Sequence, residues 1–132
     1  MAKVPDSEPL KALTIATSIP LADWRMHYPN TTPMGYLCSY VPEEIIDAAG
    51  FVPVRVRSTS APLRRVDAHL QSFTCALCRS SLDQVLNRSL EPLAGTIFAH
   101  TCDAMQALAD QWRLNTGKER FVDIVMQPAN LG

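Results

Sequence analysis

The side chains with the widest chemical reach in this sequence are its four cysteines, Cys38, Cys75, Cys78 and Cys102. Cys102 stands in Gly95-Thr96-Ile97-Phe98-Ala99-His100-Thr101-Cys102-Asp103-Ala104. The run from Thr96 to Ala99 is apolar, β-branched and aromatic, and reads as a buried strand. Thr101 and Asp103 are helix-capping types, and Met105, Leu108, Ala109 and Trp112 recur behind them at helical spacing. Cys102 is therefore expected where a strand hands over to a helix, at a strand's carboxyl end. Open α/β sheets hold their ligands there. The positive end of a helix dipole favours thiolate over thiol, and the thiolate is the form that binds metals. Cys75-Ala76-Leu77-Cys78 is a second thiol cluster that can face the same place.

The elements that must carry these thiols alternate between strand and helix. Residues 35–40 form a short aromatic strand. Pro42 opens a helix with Glu43 and Glu44 in its first turn, an apolar face of Ile45, Ile46, Ala48 and Ala49, and Gly50 as its terminator. Residues 51–57 return as a strand in which Pro53 belongs at the start or on an edge. After a loop at 58–62 and a helical turn at 65–70, residues 73–87 read as a helix with Phe73, Leu77, Leu82, Val85 and Leu86 inward. A turn at 90–92, the strand and helix around Cys102, a loop at 115–118 and a strand at 121–126 closed by Pro128 complete the series. Upstream, residues 1–9 are polar with two prolines, 13–16 suit a strand or a helix, and 27–33 form a loop. Strands alternating with helices imply βαβ units. The expected fold is α/β, a three-layer α/β/α domain with a small, mostly parallel sheet over residues 35–132. Residues 1–34 are expected to form an N-terminal extension and loop.

Composition narrows the functional classes. The length suits one domain, and 47% hydrophobic residues suffice for a core. A net charge of −1 without a basic stripe argues against nucleic acid. No apolar run reaches the roughly 18 residues of a membrane span. The N-terminus lacks the shape of a signal peptide, so the expected location is cytoplasmic, with free or metal-bound thiols in place of disulfides. The sequence shows no Walker loop, Gly-x-Gly-x-x-Gly, Gly-x-Ser-x-Gly or His-Glu-x-x-His. Nucleotide hydrolysis, nicotinamide chemistry and serine or zinc hydrolysis therefore lack support.

Three segments together carry a resemblance. The first is Gly35-Tyr36-Leu37-Cys38-Ser39-Tyr40-Val41-Pro42-Glu43-Glu44-Ile45-Ile46-Asp47-Ala48-Ala49-Gly50-Phe51-Val52-Pro53-Val54-Arg55. The second is Cys75-Ala76-Leu77-Cys78-Arg79-Ser80, and the third His100-Thr101-Cys102-Asp103-Ala104. In this order they resemble the N-terminal part of the 2-hydroxyacyl-CoA dehydratase / benzoyl-CoA reductase family, from about residue 35 to about residue 128. The resemblance implies an anaerobic enzyme of two related subunits. In it, cysteines of a subunit hold a [4Fe–4S] cluster, and an ATP-dependent iron–sulfur activator supplies the electron. An acyl-CoA substrate would be dehydrated to an enoyl-CoA through a ketyl radical, or reduced as benzoyl-CoA is. By position, Cys75 and Cys102 match the first two cluster ligands. Family chains are longer, and the third ligand lies in a C-terminal domain that this sequence does not include. Lyase activity is thus expected only with that domain or a second dehydratase subunit in place. Cys78 is a possible substitute ligand, one helical turn from Cys75. Ser39, with Tyr40, would sit at a strand's carboxyl end and face the substrate thioester.

Two other readings use the same residues. Cys75, Cys78 and Cys102, with His100, are types that make a tetrahedral zinc site in a non-catalytic binding module. A metal-free α/β assembly module would instead expose apolar surface where its partner docks. The plainer reading makes Cys38 and Cys78 core thiols and His100 a hydrogen-bonded residue at a strand end. His69 then belongs to the surface, Glu43 and Glu44 to the helix dipole, and Trp112 to the core.

Overall fold

Four strands form where short apolar runs occur: β1 (Pro33–Leu37), β2 (Val52–Arg55), β3 (Gly95–Ala99) and β4 (Phe121–Val125). They are seen in a computed structural model that describes residues 20–117 and 120–126. The segment 1–9, the 13–16 run, Lys118 and Pro128 of the sequence reading lie outside the described residues. All strands are parallel, in the order β2-β1-β3-β4. The chain steps outward from β1 to β2, then crosses back to β3 and on to β4. The two central strands are buried almost throughout, as parallel strands covered on both faces must be. Pro53 falls in β2, an edge strand, where its missing N–H costs no ladder bond on the open side.

Crossovers between parallel strands are right-handed, so opposite directions of travel place helices on opposite faces. The helix α1 (Trp24–His27) is a single turn ahead of β1. The helix α2 (Glu43–Ala48) joins β1 to β2 and packs Ile46 with Met34, Tyr36, Val41 and Ala99 on one face. The helices α3 (Ala76–Leu86) and α4 (Asp103–Thr116) cover the other face. There Leu37, Leu82, Phe98, Leu108 and Trp112 form the larger core. Each such side chain, fully buried, contributes about 1.5–3 kcal/mol. The structure is the α/β fold expected, with helices on both sides of a small sheet whose strands are all parallel.

Local sequence explains the boundaries. Gly50 follows α2 at φ +84°, the left-handed position that ends a helix without cost only for glycine. At Gly95 the reason is space: a Cβ there would lie 2.4 Å from the Phe121 carbonyl oxygen of the neighbouring strand. The α4 face is the one the spacing foretells, with Met105, Leu108, Ala109 and Trp112 all buried. The α3 start is not. Residues 71–74 turn, with the Thr74 N–H bonded to the Gln71 carbonyl at 3.0 Å, and Phe73 is 83% exposed. The helix begins only after Cys75, its N-cap.

The connection from β2 to α3 is long and mostly irregular, with one 3-10 turn, Val66–Ala68, that puts Val66 into the core. Polar residues of α3 hold it in place. The Ser80 Oγ accepts the Thr59 N–H at 2.9 Å, and Gln84 donates to the Arg57 carbonyl at 2.8 Å. The buried Asp83 carboxylate accepts the N–H groups of Arg64 and Arg65, each at 2.9 Å. Burial alone would push the Asp83 carboxyl up. The N–H groups of Arg65, Arg64 and Val66 and the Arg65 charge outweigh it and hold the group below its ordinary value.

Candidate thiol site at the sheet's carboxyl end

β1 and β3 leave the sheet side by side, but their connections run to opposite faces: from β1 to α2, from β3 to α4. Such a divergence opens a crevice beyond the strands' carboxyl ends. The residues that border it are Cys38 after β1 and His100, Thr101 and Cys102 after β3. Cys38 has φ +73°, a conformation uncommon for residues with a Cβ and concentrated at functional turns. The Thr101 hydroxyl donates to the Cys38 sulfur at 3.7 Å, so the two strand exits are tied together across the crevice.

Two more thiols arrive with α3. Cys75 is its exposed N-cap, and Cys102 is the exposed N-cap of α4. Both long helices therefore present a cysteine at their positive ends. Cys78, in the first turn of α3, is fully buried, and its sulfur lies 3.3 Å from that of Cys75. Burial pushes the Cys78 thiol well up, as do the contact with Cys75 and the charges of Cys75, Cys102 and Cys38. Cys78 thus lies within electrostatic reach of the other three thiols, and all four are free.

Ser39 is exposed beyond β1, and its hydroxyl oxygen accepts a hydrogen bond from the Arg55 guanidinium at 3.1 Å. That leaves the Ser39 O–H proton available for a second acceptor. His100 is half-buried, its backbone N–H bonded to the Val125 carbonyl at 3.0 Å. Glu43 lies in the first turn of α2 and accepts the Tyr36 hydroxyl, whose pKa is raised by that bond, then by burial and the Glu43 charge. A cavity of about 270 Å³ lies at the opposite end of the sheet, lined among others by Val85, Leu93, Trp112 and Arg120. No cysteine lines it.

The chain matches the family model described as 2-hydroxyglutaryl-CoA dehydratase, D-component, over residues 38–127. It is similar to one of the benzoyl-CoA reductase subunits of Thauera aromatica, with 31% identity over 69% of this chain and 24% of the relative. It is also similar to the beta subunit of the (R)-2-hydroxyglutaryl-CoA dehydratase of Acidaminococcus fermentans, with 32% identity over 61% of this chain and 22% of that one. The chain belongs to the 2-hydroxyglutaryl-CoA dehydratase D-component family. It spans about a quarter of the length of these curated relatives.

Within this dehydratase-family fold, the motifs read in the sequence divide into two groups. Cys75 and Cys102 stay exposed at helix starts. Arg79 and Ser80 turn away from the crevice: Arg79 pairs with Asp67 and Ser80 holds Thr59, so both fasten the long connection to α3. The zinc arrangement is not assembled. Among the described residues no three His, Cys, Asp or Glu side chains gather closely enough to hold one metal ion. Cys78 points into the core and His100 is held at a strand end. The expectation that Cys75 and Cys78 lie within a continuous helix is also corrected. Cys75 precedes the helix in extended backbone, at φ −56° and ψ 148°. The sequence reading missed the left-handed Cys38 and its tie to Thr101, a contact across 63 positions that no local pattern signals. Among the described residues no helix is long and apolar enough to cross a membrane.

Proposed function

We propose that this chain is the thiol-bearing N-terminal part of a 2-hydroxyacyl-CoA dehydratase-like subunit, in which Cys75 and Cys102 are two ligands of a [4Fe–4S] cluster. One observation carries the reading. The exposed cysteines of the family motifs are the N-caps of the two long helices, at the carboxyl end of a doubly wound sheet. The donor set suits an iron–sulfur cluster in kind: exposed soft thiols, beside helix ends that favour negative charge. It is incomplete in number, and the remaining ligand comes from polypeptide beyond these residues. Relatives of greater length whose names call them subunits are consistent with that. So are apolar side chains with nothing over them, Phe73 at 83% and Met26 at 79% exposure.

When bound, such a cluster supplies single electrons for reduction of an acyl-CoA, received from an ATP-dependent activator. The chain's own residues do the rest. The amino ends of α3 and α4 stabilise anionic charge in the crevice. Ser39, oriented by Arg55, offers its proton to the oxygen of a thioester carbonyl. The Cys38–Thr101 tie keeps the two strand exits in register. Free thiols suit a reducing cytoplasm.

Iron and acid-labile sulfide measured after anaerobic reconstitution test this. With an added small-molecule thiol to stand in for the remaining ligand, the wild-type chain is expected to take up iron and sulfide, and Cys75→Ala and Cys102→Ala to take up little. Equal iron in wild type and both variants would remove these thiols from the ligand set.

A further inference from the structure

The cluster reading uses Cys75 but not its contact with Cys78. One sulfur is exposed at the start of α3, the other is fully buried one turn further on, and they lie 3.3 Å apart. A disulfide needs an S–S separation of about 2.05 Å. Cys75 stands ahead of the helix with its side chain exposed, so rotation of that side chain is the motion that brings the sulfurs together. The pair also has the right asymmetry for thiol–disulfide exchange. An accessible thiol at a helix start is attacked or attacks first, and a sheltered neighbour resolves the adduct. A Cys-x-x-Cys in a βαβ setting is the sequence form of that device.

We propose that Cys75 and Cys78 are a redox-active dithiol that reduces small-molecule disulfides and is itself closed to an intramolecular disulfide. The Cys75 thiolate attacks one sulfur of a disulfide RSSR, breaking its S–S bond. A Cys75–SR mixed disulfide forms and RS⁻ leaves, taking up the proton Cys75 gave. Cys78 then loses its proton and attacks the Cys75 sulfur, expelling the second RS⁻, which takes that proton. Two electrons pass from the protein sulfurs to RSSR, and the products are the Cys75–Cys78 disulfide and two RSH. Cys78 is fully buried and Cys75 is exposed, so Cys75 meets RSSR first, which sets the order of the two steps. This inference stands on the geometry of the pair and not on the cluster. Where Cys75 also serves as a ligand, closing the disulfide withdraws it, so oxidation and metal uptake exclude each other at this position.

The test treats the reduced, metal-free chain with oxidised glutathione, quenches with an alkylating reagent and maps the peptides. Both cysteines lie in one tryptic peptide, residues 66–79. In the wild type that peptide is expected two hydrogens lighter and unalkylated, while Cys38 and Cys102 are alkylated. In Cys78→Ala, Cys75 is expected to stop as a lasting glutathione adduct. Cys102→Ala is expected to close the disulfide as the wild type does. A wild-type peptide that carries a persistent glutathione adduct, that takes up two alkyl groups, or that is joined to the Cys102 peptide would overturn the proposal. None of these readouts depends on iron, so a failure here leaves the ligand reading standing, and the reverse holds too.

Discussion

Replacing Asp83 with alanine is expected to cost about 2–4 kcal/mol of folding stability, since two backbone N–H donors lose a charged acceptor at once. The carboxylate is 7% exposed and sits midway along α3, where it accepts the Arg64 and Arg65 N–H groups at 2.9 Å. Without it the irregular connection from β2 loses its central anchor, and Val66 its fixed position in the core. The effect carries a pH signature. The folded-state pKa lies below the ordinary value of about 4, so the unfolded chain takes up this proton at higher pH than the folded one. The stabilisation is therefore complete above about pH 4 and is lost as pH falls through the depressed folded value. Urea unfolding from neutral pH into strong acid should show wild-type stability dropping over the acid end of that range. The Asp83→Ala variant should start lower and lose less there. Parallel pH curves for the two proteins would show that the carboxylate does not act as an ion in the fold.

Trp112→Ala is expected to cost about 3–5 kcal/mol, at the upper end of that range. The indole is 2% exposed and meets the Phe98 ring edge to face, with centroids 5.3 Å apart and planes at 79°. Such a pair adds about 0.5–1.5 kcal/mol to the burial itself. Trp112 also lines the cavity of about 270 Å³ at the amino ends of the strands. Truncation would join the vacated space to one that already exists, so the surroundings cannot close over it. Trp112→Phe keeps most of the volume and should cost less than half as much. Equilibrium denaturation followed by far-ultraviolet circular dichroism measures both, and a loss under about 1 kcal/mol in the alanine variant would show that the indole is not central to this face.

What the sequence discloses of this fold follows from how local each signal is. The alternation of strand and helix, the buried face of α4 and the break at Gly50 are written within a few residues of where they act. The order β2-β1-β3-β4 is not, because pairing between strands far apart in the chain leaves no periodic trace. Phe73 misled the reading of α3 because an exposed phenylalanine at helical spacing looks like a core position. Thr74 and Cys75, small and polar, were the better boundary signal. The α1 turn is too short to show a period. At the sheet's carboxyl end, the place of Cys102 at a helix start was legible from Thr101 and Asp103 beside it, whereas that of Cys75 was not, because the helical spacing runs back to Phe73. Nor was Asp83, because an acidic residue on a helix normally marks the solvent side. The Cys38–Thr101 contact and the lower cavity were hidden for a common reason: both are made by the ends of elements distant in sequence.

The two exposed thiols occupy positions where helices usually gain strength. Neither the Cys75 nor the Cys102 side chain caps a backbone N–H of the first turn it precedes. Serine at either place would do so, for about 0.5–1 kcal/mol each. The substitution that firms up the helix is thus the same one that removes the sulfur. A laboratory selection for heat resistance alone would be expected to drift toward Cys75→Ser and Cys102→Ser, gaining a few degrees while discarding the reactive groups. On the ligand reading proposed above, cysteine at both caps exchanges helix-cap stability for soft metal donors.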